Sequence, residues 1–169
     1  MSVDNCIIRQ LKNEDSIVEL TGLLNRAYAS LAEMGFRYVA TWQDEVITRR
    51  RVSRGECLVA ELDGRLVGTL LLEYPAKGAE YYEREGVAKF QQFGLEPEYQ
   101  GMGIGRRLLE IAEQRAHDRG ATELALDTAE GAEHLIRMYE RWGYHWVGEA
   151  DWEVTNYRSV IMSKELAGA

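Results

Sequence analysis

The stretch FGLEPEYQGMGIGRRLLEIAEQRAHDRG, residues 93–120, runs from an extended apolar segment through glycines at 101, 103 and 105 into a long amphipathic run. Glycine inside a helix or strand costs about 0.5–1 kcal/mol relative to alanine, so three within five residues require a reason. Beyond them Ile104, Leu108, Ile111, Ala112 and Arg115 recur at helical spacing, and Gly120 closes the run. The glycines therefore open a helix. The first four N–H groups of a helix lack intrahelical partners and sit at its positive end. With no side chains before and within the first turn, an anion can approach those donors, and a pyrophosphate is the natural occupant. A tight turn needing positive φ accounts for one glycine well and for three poorly. Two nucleotide-binding patterns, Gly-x-Gly-x-x-Gly and Gly-x-x-x-x-Gly-Lys, ask for glycine where Arg106 stands.

Working outward, VAKFQQFGL (87–95) and TELALDT (122–128) read as strands on either side of the loop and its helix. Such a unit makes a right-handed crossover between parallel strands. CLVAELDGRLVGTLLLEY (57–74) is a hairpin turned at Asp63-Gly64. Ahead of it lie a short strand, NCIIRQL (5–11), a helix over 13–31 with Ile17, Leu20, Leu24 and Tyr28 near one face, and a shorter helix over 41–55. After it come a helix over 132–143, with a stripe of Leu135, Met138, Tyr139 and Trp142, and two closing strands at 144–150 and 157–166. The order β-α-α-β-β-β-α-β-α-β-β predicts a single α/β domain over 5–166 with a mixed, mostly antiparallel sheet.

With 169 residues, 46% hydrophobic and 28% charged, the chain has the length and composition of one soluble domain. The net charge of −8 and the absence of a long Lys/Arg run argue against a nucleic-acid partner and slightly favour an amine or cationic substrate. TRRRVSR (48–54) reads as the solvated face of a short helix. Cys6 and Cys57 read as buried thiols of a reducing compartment, and the histidines at 117, 134 and 145 are too isolated for a metal site. Neither a signal peptide nor a membrane-spanning run is visible, so the expected location is the cytoplasm.

EPEYQGMGIGRRLL (96–109) resembles the acetyl-CoA-binding signature of the GNAT superfamily of N-acetyltransferases, with Gln100, Gly103 and Gly105 at its defining places. LIRMYERWGYHWVG (135–148) is similar to the family's second motif. The resemblance, which covers about residues 5 to 166, implies a splayed parallel pair of strands and acetyl-CoA as co-substrate. It implies that the amides of Gln100, Gly101, Met102, Gly103, Ile104, Gly105 and Arg106 cradle the CoA pyrophosphate, while Phe93, Gly94 and Leu95 pair with the pantetheine arm. Gly94 serves close approach or marks a bulge, and Arg106 and Arg107 reach phosphates or are surface arginines. On periodicity alone Tyr139 is one more apolar-face aromatic; the second motif makes it the general acid for the departing thiolate. Where the family often carries Asn, this chain has Ala132, leaving Thr128 to substitute or a contact to be missing.

The base stays open among Glu73, Glu80, Glu83, Glu85 and a water chain, with Gln91 and Gln92 where some relatives hold glutamate. Phe36, Tyr38, Trp42, Tyr81 and Tyr82 wall an acceptor pocket or belong to the core. The acceptor amine, on a small molecule or a peptide, is undetermined. Family habit suggests a homodimer through Trp146, Trp152 and Tyr157. A non-catalytic acyl-CoA-binding sensor is the alternative that shares every glycine.

Overall fold

A computed structural model describes residues 2–167. Strand β1 (Ile7–Gln10) precedes four helical segments, α1 (Ile17–Ala27), α2 (Ala29–Glu33), α3 (Val39–Trp42) and α4 (Glu45–Val52). Then come β2 (Glu56–Leu62), β3 (Arg65–Glu73), β4 (Val87–Leu95), a 3₁₀ turn (Pro97–Tyr99), α5 (Ile104–Asp118), β5 (Glu123–Ala129), α6 (Glu133–Arg141), β6 (His145–Asp151) and β7 (Arg158–Glu165).

The expected first helix breaks at Tyr28, whose backbone leaves the helix while its hydroxyl donates to the Phe93 carbonyl at 2.9 Å. The second starts later than the periodicity suggested. Gln43 is extended, and the Asp44 carboxylate caps α4 by accepting from the Ile47 N–H at 2.9 Å. Asp63 and Gly64 turn the β2–β3 hairpin with φ of 51° and 79°, the conformation that made Asp-Gly legible.

The strand order is β1-β2-β3-β4-β5-β7-β6, and every neighbouring pair is antiparallel except β4–β5. That parallel pair matches the crossover expected from the sequence. It is registered only over Val87–Lys89 against Glu123–Ala125, although both strands continue past this point. Beyond Lys89 they part, and the gap between them positions the site.

Alternation along β2 divides the core. Leu58, Ala60 and Leu62 pack under α5 with Leu70, Phe90, Leu108 and Leu109, and Tyr139 of α6 joins this layer. Cys57 and Val59 face the other way, against Leu20, Leu23 and Leu24 of α1. Ile104, Leu108 and Leu109 are fully buried, and each contributes about 1.5–3 kcal/mol to docking α5. Both cysteines are buried and free. Among the described residues no helix is long and apolar enough to cross a membrane.

The closing strands differ from expectation in one respect. Trp146 remains exposed on the edge strand β6. Trp152 instead packs with the Tyr82 cluster, and Tyr157 stacks on Tyr38 at 4.9 Å and edge-on to Phe36 at 6.0 Å. These two aromatics cover this molecule's own interior and offer little to an edge contact.

Candidate active site

Gly101 and Gly103 adopt φ of 80° and 90°, and a Cβ added to either meets nothing within 4 Å. Gly105 is ordinary in φ, but a Cβ there would lie 3.3 Å from both Leu95 and the Phe93 ring. Left-handed turns thus account for two glycines and packing for the third, a larger share than the sequence suggested. The same turns leave the helix start bare. Arg107 is the first residue whose N–H closes onto the helix, to the Gly103 carbonyl at 3.1 Å. No side chain caps α5, whereas Ser16 and Asp44 cap α1 and α4.

Gln100 secures the loop by donating to the Leu95 carbonyl at 3.3 Å. Met102 stands exposed, and Ile104 is buried in the core, so its amide is what it offers the loop. The Arg106 Nη1 is buried without a partner among the described residues, while its Nε pairs with Glu110 at 3.2 Å. Arg107 turns away, donating to the Cys6 carbonyl at 3.3 Å. An uncapped, open-sided helix start beside an orphaned guanidinium nitrogen fits a pyrophosphate.

In β4 the register passes from Leu71 opposite Gln91 to Thr69 opposite Gly94, so one extra residue bulges. The strained residue is Gln92, at φ 50°, with no glycine to announce it. Gly94 has a further purpose besides the two considered from sequence. A Cβ there would come within 2.8 Å of Ala27 and 3.3 Å of Tyr28, so its bareness admits α1. Leu95 is buried against α5, and Phe93 lines the cleft beside Gln100.

Tyr139 sits where β4 and β5 part, its ring about 6 Å from Phe90, Trp142 and Tyr144. Its hydroxyl has no hydrogen bond among the described residues. Burial pushes its pKa well above the ordinary phenol value, which keeps it protonated and able to donate. Ala132 is buried with Leu31, Tyr38 and Ala129. The Thr128 hydroxyl is paired with the Tyr38 hydroxyl at 2.7 Å, which also accepts the Ala129 N–H at 3.0 Å. Thr128 is therefore engaged with the protein rather than free to replace an asparagine.

On the opposite face of the sheet the gap meets a second set of side chains. Of the four glutamates considered, Glu80, Glu83 and Glu85 are exposed away from the cleft, and Glu73 alone lines it. Glu73 is buried, accepting from Gln91 at 3.0 Å and pairing with Lys89 at 3.3 Å. The sequence reading missed Asp127. It projects from β5 into the cleft and accepts a 2.5 Å hydrogen bond from the Tyr82 hydroxyl. Burial raises its carboxyl pKa, against the opposing pull of Tyr82, Lys89 and Arg51. Its signal was a carboxylate directly after the apolar run 124–126 of the strand TELALDT, an expensive placement without a role.

Arg51 is the second omission. Its neighbours Arg49 and Arg50 are exposed as expected, although Arg50 and Arg54 also border the cleft; Arg51 turns inward to Gln43 Oε1 at 2.7 Å and Gln91 Oε1 at 3.0 Å. Tyr38 and Trp42 line the cleft. Tyr81 bonds Glu123 outside it, Tyr82 acts through Asp127, and Phe36 packs over Gly131.

One continuous cleft of about 1390 Å³ joins the glycine loop to Arg51, Glu73, Asp127 and Trp152. Typical small-molecule pockets hold about 300–1,000 Å³, so this space accommodates two reactants end to end.

The model of the acetyltransferase (GNAT) family matches residues 18–144. The S-(2-succino)cysteine N-acetyltransferase of Bacillus subtilis (strain 168) is 31% identical over 158 residues, 92% of each chain. A putative phosphinothricin N-acetyltransferase superposes with a TM-score of 0.74 at 18% identity, over 97% of this chain and 100% of that one. A GNAT family acetyltransferase from Elizabethkingia anophelis, solved with acetyl-CoA bound, gives a TM-score of 0.69 at 15% identity over 96% and 99% of the two chains.

Proposed function

The chain belongs to the GNAT acetyltransferase family, and from that premise we propose that it transfers the acetyl group of acetyl-CoA to a primary amine on a small molecule. The observation that carries this is the cleft's passage through the gap between β4 and β5. It connects an anion-binding helix start on one face with buried acids on the other. The amides of residues 101–106 hold the pyrophosphate; the Gln100 N–H, expected in the same cradle, is instead bonded to the Pro97 carbonyl at 3.3 Å. The edge of β4 at Phe93–Leu95, unpaired toward β5, runs along the pantetheine.

Acetyl-CoA supplies an electrophilic thioester carbonyl. The protein must manage two protons around it. An alkylammonium has a pKa near ~10.4, so the acceptor arrives charged. Asp127, its basicity raised by burial, takes that proton, with Glu73 beside it held by Lys89. On the other side of the gap Tyr139 gives its hydroxyl proton to the departing sulfur. Once the nitrogen has bonded to the carbonyl carbon it loses its second proton to water, and the C–S bond breaks. The products are an amide, a thiol and one released proton: of the two protons shed by the nitrogen, one returns through solvent to Tyr139 and the other stays in solvent.

Small acceptors are favoured over peptides by the covering of the acceptor end. Asn156, in the β6–β7 connection, accepts from the Arg37 N–H at 2.8 Å and donates to the Gly35 carbonyl at 2.9 Å. With Tyr157 against Phe36 and Tyr38, this spans the end of the cleft where a peptide would continue. The Bacillus relative, named for an S-substituted cysteine, supports amino-acid amines as the class to test first. The test is release of free thiol from acetyl-CoA across a panel of amino acids, polyamines and peptides. Turnover confined to small amines is expected. No release with any amine, while acetyl-CoA still raises the melting temperature, would identify a binding module instead.

A further inference from the structure

On the acceptor reading above, we infer that Arg51 is the anchor for a carboxylate on the acceptor, so that the substrate is an amino acid or amino-acid derivative held by both its charges. Most inward-turned cations of this chain have an acidic partner: Arg9 has Asp15 at 2.8 Å, Lys89 has Glu73 at 3.3 Å and Lys164 has Glu113 at 3.2 Å. Arg51 has none among the described residues. Its two bonds go to the neutral side-chain oxygens of Gln43 and Gln91. Those bonds use two of the five N–H donors of the guanidinium and leave three for a ligand. Burial depresses its pKa from the ordinary guanidinium value, and Arg54 adds to this, against the opposing pull of Tyr28, Glu73 and Asp127.

The side chain is also held in place. Gln43, itself buried, donates to Thr48 Oγ1 at 2.7 Å and to Gln92 Oε1 at 2.9 Å, and Thr48 accepts from Thr21 at 2.7 Å. Gln91 is held from the other side by its bond to Glu73. Two neutral amides therefore fix the guanidinium without discharging it. The Gln92 Nε2, also buried and lining the cleft, has no partner among the described residues. It is a second donor free for a carboxylate oxygen. Neither acid of the cleft forms an ion pair with Arg51: Glu73 pairs with Lys89, and Asp127 accepts from the Tyr82 hydroxyl. Arg50 and Arg54 also border this end, but both are exposed to solvent. The acceptor end thus presents an inward-turned cation without an ion pair near two acids, the charge pattern of an amino acid.

The test compares three thioether amines with acetyl-CoA: S-carboxymethyl-L-cysteine, S-methyl-L-cysteine and 2-(methylthio)ethylamine, which carry two, one and no carboxylates. Wild-type kcat/KM should be about 10- to 100-fold higher for S-methyl-L-cysteine than for the amine, the worth of charge-assisted hydrogen bonds. In Arg51→Gln that ratio should collapse toward one, and Arg51→Lys, keeping the charge without the fork, should fall between. Equal use of the three compounds by the wild type overturns the anchor even if no variant folds. So does an Arg51→Gln loss shared equally by all three. Thiol release with other small amines but with none of these three overturns the anchor alone; release with no amine at all, while acetyl-CoA still raises the melting temperature, overturns the small-amine reading and the anchor with it.

Discussion

At the proposed cofactor end of the cleft, six consecutive residues, 101–106, present backbone donors at the start of one helix. At the acceptor end, Arg51 comes from α4, Glu73 from β3, Gln91 from β4, Asp127 from β5 and Trp152 from the segment after β6. The first end is made of main chain whose geometry is set by two left-handed glycines. The second is made of side chains that meet only when the sheet is assembled. A change at the cofactor end should therefore act on one ligand through local backbone shape. A change at the acceptor end should propagate through shared partners, since Gln91 touches both Arg51 and Glu73.

The largest effect that could break this contrast is a complete one. Acetyl-CoA should raise the melting temperature of the wild type, because it binds only the folded state. Gly103→Asp puts a side chain and a negative charge at the bare helix start, in space now empty of protein. The shift should vanish while the apo protein remains folded by circular dichroism. Retention of the full shift would show that the pyrophosphate rests elsewhere.

Asp127→Asn should come next, with kcat/KM lower by about 10²–10⁴-fold, the range for a positioned acid or base. Asparagine still accepts from Tyr82, so this variant should be at least as stable as the wild type at neutral pH. The sign follows from burial. The folded state raises the Asp127 pKa and so holds its proton more tightly than the unfolded chain. Wild-type stability is then lost as pH rises from the ordinary carboxylate range through the raised value. The variant lacks that loss, so its advantage in melting temperature should grow with pH across this window. A variant melting lower at every pH would mean that the carboxylate holds the fold rather than the reaction.

Tyr139→Phe keeps the ring contacts with Phe90, Trp142 and Tyr144 and removes the donor. Turnover should fall at least about tenfold, or roughly 1.4 kcal/mol of transition-state stabilisation, with acetyl-CoA affinity little changed. A more acidic leaving thiol should narrow the gap. Full activity would assign the proton to water.

The smallest effect sharpens the boundary between the two ends. Gly94→Ala places a methyl 2.8 Å from Ala27 and should cost about 1–3 kcal/mol of stability by overpacking α1. For a chain of this size each kcal/mol lowers the melting temperature by about 2–4 °C. The acetyl-CoA thermal shift should persist. Loss of the shift without loss of stability would mean that Gly94 is bare for the cofactor rather than for α1.

The sequence by itself determined whatever depends on neighbours along the chain. Asp63-Gly64 specifies a hairpin because both residues tolerate positive φ. The apolar stripe of Ile104, Leu108 and Ala112 specifies a helix that must lie on a sheet, and Gly101 and Gly103 leave that helix open to an anion. The order of elements then admits one sensible crossover, and the parallel pair follows. The role proposed for Tyr139 rests on its motif, since its periodicity is that of any buried aromatic. Only the tertiary structure decided where the acceptor end would be. Nothing local distinguishes Arg51 from Arg49 and Arg50, or Asp127 from a misplaced surface acid. Arg51 turns inward because Asp44 starts α4 at a particular residue and so sets the rotation of the helix over the sheet. Gln92 points into the cleft because one extra residue in β4 resets its alternation. A single-residue change of register exchanges the two faces of a strand, so the partners of these side chains are properties of packed elements and of no segment taken alone.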